Sequence, residues 1–156
     1  MDYSNADIEK ILMTSDMQLT SGEVCDAVRR GWTELSTATD TEIVDHFAGY
    51  SADSMVGVVS NVKGIALEME VERALDNSGI NANIFELTNN PGTDIFLGNG
   101  QEYSVKSGVS DRATLEDISE GLTVIATSEI ADKNIAIDAG ISSAALAASV
   151  IAALAS

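Results

Sequence analysis

Between Thr93 and Ser107 the chain leaves few choices of local structure. Thr93-Asp-Ile-Phe-Leu97 is β-branched, aromatic and aliphatic, Gly98-Asn99-Gly100 tolerates positive φ, and Gln101-Glu-Tyr-Ser-Val-Lys-Ser107 alternates polar with apolar. That is the pattern of two strands joined by a turn. Strand side chains alternate between faces, which predicts Glu102, Ser104 and Lys106 on one side and Tyr103 and Val105 on the other. In a simple register Asp94 lies beside the polar row, so a carboxylate and an amine meet across neighbouring strands.

The flanking segments supply the rest of an α+β chain. Ser51 to Ser78 reads as one long helix or two in close succession, with Met55, Val58, Val62, Ala66 and Met69 on a broad apolar face and Asn77-Ser78-Gly79 as its stop. Gly57 and Gly64 each mark close packing or a break. Asn83–Thr88 is expected as a strand, followed by a turn at Asn89-Asn90-Pro91-Gly92. After the hairpin, Ser110 or Asp111 caps a helix running to about Glu120, with Ala113, Leu115 and Ile118 as its apolar members. Leu122–Ala126 is continuously apolar, as in a strand covered on both faces. A short helix at Ser128–Lys133 and a strand at Asn134–Asp138 follow. Residues 1–60 read as wholly helical, with Thr20-Ser21 and Asp40 as caps.

Taken with that order of elements, three short motifs resemble the PD-(D/E)XK nuclease superfamily. Pro91-Gly-Thr-Asp94 stands for the first, Ser104-Val105-Lys106 for the second, and Lys63-Gly-Ile-Ala-Leu-Glu68 is similar to the first-helix glutamate motif of archaeal Holliday-junction resolvases. The resemblance covers roughly the second half of the chain. It implies a restriction-endonuclease-like αβββαβ core, an α/β sandwich, over residues 61–156, with residues 1–60 as a helical extension and an apolar helix at the C-terminal end. It further implies Mg²⁺ or Mn²⁺ as cofactor and DNA as substrate. Asp94 would be a metal ligand, Lys106 the group that orients the attacking water, and Glu68 a supporting acid and ligand. The departure is Ser104, which stands where the family has its second metal-binding acid. Glu102 shares that face two residues earlier, about 7 Å along the strand, and is the expected substitute ligand.

Charge weighs against an ordinary DNA-binding surface. The chain has 8 lysine and arginine residues against 25 acidic ones, a net charge of −17. Binding to a duplex depends on cations that neutralise phosphates, and Arg29-Arg30 is the sole basic cluster. Two readings therefore stand side by side: a metal-dependent endonuclease, or a catalytically silent relative that self-associates, binds a protein partner, or mimics nucleic acid towards a basic partner. The run Ile141–Ser156 contains no charged residue. It is short of the ~20 residues that span a bilayer, which makes membrane insertion the weaker account. A core helix or a homo-oligomer contact through residues 141–156 is the stronger one.

The remaining motif classes are empty. The single cysteine, Cys25, forms no internal disulfide or cysteine zinc cage, and a reducing cytoplasm is the expected setting. It reads as an inert thiol, His46 as a capping or surface histidine without a metal-binding mate, and Trp32 as a core residue. No phosphate-binding loop, hydrolase triad, heptad or internal repeat is present.

Overall fold

The computed structural model describes residues 2–84 and 93–155, and within them the chain is mixed α+β. Side-chain caps set the starts of the first four α-helices. Ser4 caps α1 (Asn5–Thr14) and Ser51 caps α4 (Ala52–Asn77). Thr20 with Glu23 closes a reciprocal capping box on α2 (Ser21–Gly31), and Thr39 with Glu42 does the same on α3 (Asp40–Phe47). The cap of α3 is thus Thr39, and Asp40 is the first helical residue. A 3₁₀ turn at Thr33–Leu35 lies between α2 and α3. The segment from Ser51 to Ser78 is one helix of 26 residues, unbroken at Gly57 or Gly64. Gly79, at φ +88°, ends it.

The strands β1 (Ala82–Ile84), β2 (Ile95–Leu97), β3 (Glu102–Lys106), β4 (Thr123–Ala126) and β5 (Ile137–Asp138) form one sheet in chain order. The first three pair antiparallel as a meander, in a register that sets Ile84 beside Ile95 and Ile95 beside Tyr103. The crossover α5 (Arg112–Ser119) then returns the chain so that β4 runs parallel to β3, and α6 (Ser128–Ala131) precedes a parallel β5. The last element is α7 (Ser143–Leu154). The remainder of the strand expected over Asn83–Thr88, and the turn containing Pro91, lie outside the described residues.

One face of the sheet makes the main core. Ile95, Leu97, Tyr103, Val105 and Ile125 pack with Leu67, Val71 and Leu75 of α4, and this cluster continues into Ile8, Leu12, Val24, Val28, Ile43, Leu146 and Val150. On the other face Val124 and Ala126 form a small cluster with Ile130. Both faces of β4 are therefore covered, as its unbroken apolar run required. The boundary expected at residue 60 falls inside α4, and helices from both sides of it share the main cluster. Gln101 ties the first residues to the hairpin: its Oε1 accepts the Tyr3 N–H at 2.6 Å, and its Nε2 donates to the Tyr3 carbonyl at 2.9 Å. The charge-free C-terminal segment becomes a core helix, with Leu146, Val150 and Leu154 buried. Among the described residues, no helix is long and apolar enough to cross a membrane.

The turn after β5 carries a sharp constraint. Gly140 has φ +84°, and a Cβ there would lie 2.6 Å from the Leu12 carbonyl oxygen at the end of α1. Both the left-handed backbone and the backbone contact exclude a side chain. Gly140→Ala is expected to cost about 2 kcal/mol or more of unfolding free energy, read as a lower urea midpoint at unchanged slope.

Candidate active site around the ends of β2 and β3

Asp94 directly precedes β2. Its backbone N–H donates to the Tyr103 carbonyl at 2.9 Å, and its Oδ2 accepts the Val105 N–H at 2.7 Å. The carboxylate thus takes a main-chain donor of the neighbouring strand, which fixes it at the end of the sheet. Glu68 reaches the same point from α4, one helical turn after Gly64, and hydrogen-bonds the Asp94 side chain. The structure therefore brings together two of the residues singled out in the sequence.

Two carboxyl groups in contact cannot both ionise freely. Burial, then the charge of Asp94 and the hydrogen bond to it, push Glu68 up to about 8 from an ordinary 4.5, against the opposing pull of the Arg30 guanidinium. At neutral pH the pair holds a proton in the place where a cation would relieve the same repulsion.

Lys106 and Ser104 lie on the other face of β3. Tyr103 and Val105 enter the core under α4, while Ser104 and Lys106 meet α5. Ser104 Oγ donates to Asp117 Oδ2 at 2.5 Å, and Lys106 Nζ reaches the same oxygen at 2.9 Å. Burial opposes ionisation of Asp117, but the hydrogen bonds from Ser104 and Lys106 outweigh it and hold the carboxyl below its ordinary range. The ion pair of Lys106 is thus with Asp117, and differs from the Asp94–Lys106 pair expected from the sequence. The two groups flank the same end of β3: Asp94 holds the N–H of Val105, and the next residue carries the amine.

Asp117 is the site residue that sequence reasoning missed. The apolar residues of α5 suggested that Leu115 and Ile118 face inward. They are 48% and 39% exposed, and Thr114 is the fully buried member. A helix that turns Thr114 and Asp117 inward (three apart, hence one face) supplies the carboxylate that Ser104 lacks. Glu102, the expected substitute, is exposed at the start of β3 opposite Phe96.

A hard divalent cation suits this donor set only in part. Among the described residues no three His, Cys, Asp or Glu side chains gather into one ligand group. Glu68 and Asp94 do provide adjoining carboxylate oxygens, and Mg²⁺ is commonly held by one or two carboxylates with water completing its shell. The pair fits such a site, although not a closed protein cage.

The cations are largely consumed inside the chain. Arg29 pairs with Asp26 and Asp40, Arg73 with Glu23 and Glu70, Arg112 with Glu116, and Lys133 with Asp111. Cys25 is 2% exposed, and burial followed by the nearby Asp40 carboxylate pushes its thiol up, in keeping with an inert role. His46 lies 3.3 Å from the Tyr50 hydroxyl and joins an aromatic group in which Trp32 meets Phe47 edge-on at 5.6 Å.

Compared with protein-family models, curated proteins and solved structures, the chain matches none.

Proposed function

We propose that the chain is a metal-dependent phosphodiesterase acting on nucleic acid, with a restriction-endonuclease-like core made of α4, β1, β2, β3, α5 and β4. The order helix, antiparallel meander, crossover helix, parallel strand supports that core. The observation that carries the chemistry is the contact of the Asp94 and Glu68 carboxyl groups beside the strand end that bears Lys106. In this reading Asp94 and Glu68 hold Mg²⁺ or Mn²⁺. The bound cation would neutralise charge on the scissile phosphate and acidify a coordinated water. Lys106 supplies a positive charge and a proton donor to the phosphate or the attacking water. Asp117 holds that amine in an ion pair, and Ser104 anchors Asp117. A reducing, cytoplasmic setting suits the single buried thiol.

The test is incubation of supercoiled plasmid and of a four-way DNA junction with the protein and Mn²⁺. Cleavage is expected, with Lys106→Ala slowing it by about 100-fold or more. Asp117→Asn should lower the rate less, since it acts through Lys106. Cleavage by Lys106→Ala at the wild-type rate would overturn the assignment of that residue. Wild-type protein that takes up Mn²⁺ but cuts neither substrate would favour the second reading, a silent relative acting through protein contacts. The ion-paired arginines and the charge of −17 support that alternative.

A further inference from the structure

We infer that the first three turns of α4 and the C-terminal end of α7 form a contact surface for a second copy of this chain. A groove of about 550 Å³ lies between them, lined on α4 by Met55, Val56 and Val59 and on α7 by Ile151. Val56 is 69% exposed and Ile151 50% exposed, so two large apolar side chains face outward on adjoining helices. Among the described residues nothing else covers them.

Charge selects the occupant. On a molecule of net charge −17, most surfaces that meet their own copy oppose carboxylate to carboxylate. From Ser54 to Leu67 no acidic residue occurs and Lys63 is the sole charge, while α7 carries none. This is the face on which two copies approach without like-charge cost. A basic partner would instead be drawn to the carboxylates elsewhere.

The same stretch is self-complementary. Asp53, Val56, Ser60 and Lys63 follow helical spacing along one side of α4. When two α4 helices pair antiparallel about a two-fold axis near Val58, Asp53 of each copy comes beside Lys63 of the other, and Val56 comes beside Ser60. A two-fold contact repeats each favourable pair twice. Ile151 of each copy then covers the groove of its mate.

Sedimentation equilibrium from micromolar to submillimolar concentration tests this. A reversible dimer is expected, tightening as salt screens the repulsion between acidic surfaces. Val56→Glu and Ile151→Glu, both at exposed positions, should each weaken it by about tenfold or more while circular dichroism stays native. Asp53→Lys, wholly on the surface, should weaken it too by opposing Lys63 of the mate. A wild-type chain that sediments as a 16.3 kDa monomer throughout would overturn the inference. So would folded glutamate variants, or an Asp53→Lys variant, that associate as tightly as wild type.

Discussion

In a calorimetric titration with Mn²⁺, Asp94→Asn is expected to lose the binding heat of the wild type, with affinity falling by about 100-fold or more. The asparagine is the informative substitution because Asp94 does two jobs. Its Oδ2 accepts the Val105 N–H at 2.7 Å, and alanine would leave that buried donor unpaired at a cost of about 1–3 kcal/mol. Asparagine keeps an acceptor of the same shape and removes only the charge. The wild-type titration should also release close to one proton per cation near neutral pH, because Glu68 gives up the proton it holds up to about 8. Repeating the titration in buffers of different ionisation enthalpy measures that release. Mn²⁺ binding of unchanged strength in Asp94→Asn would remove the metal site, and with it the phosphodiesterase reading. The dimer surface on α4 and α7 would stand untouched.

The hairpin was legible because alternation and a glycine turn act over a few residues. The register Ile95 to Tyr103 follows from strands on either side of Gly98-Asn99-Gly100. The long helix was legible for the same reason, since Ser51 caps it locally and Gly79 stops it locally. The Asp94–Glu68 contact was reached by another route, the resemblance of two short motifs. Periodicity alone does not say that residue 68 of a helix meets the end of a strand 26 positions later.

Asp117 was hidden by a different limit. Its partner Ser104 lies 13 residues away across a crossover, and the apolar residues of α5 advertise the wrong face. A hydrophobic pattern reports which side of a helix prefers burial. It does not report that a neighbouring strand presents a serine and a lysine in need of a carboxylate. The role of the first helices was hidden in the same way: Glu9 of α1 accepts the N–H of Asp138, at the edge of the sheet, across 129 residues. Such long-range polar closures leave no local signature.

The shared proton at Glu68 predicts an unusual pH dependence of stability. A carboxyl group whose folded pKa is raised contributes stability that is fully present below its unfolded value, near 4.5, and is lost as pH rises through about 8. The unfolding free energy of the wild type should therefore fall across that window, by at most about 1.4 kcal/mol per pH unit. Asp117 has the opposite sign, because its carboxyl is held below the ordinary range. Its contribution is present above the unfolded value, near 3.8, and is lost in acid, outside the window that Glu68 controls. Urea unfolding at a series of pH values, with Glu68→Gln beside the wild type, isolates the effect. Groups common to both chains cancel in the difference, and glutamine retains a hydrogen-bond donor towards Asp94 without a titrating proton. The wild-type slope between pH 5 and 8 is expected to exceed that of Glu68→Gln, and saturating Mn²⁺ should flatten the wild-type profile as the cation takes the place of the proton. Equal slopes in the two chains would mean that Glu68 and Asp94 do not share a proton, and the electrostatic reason for a cation between them would disappear.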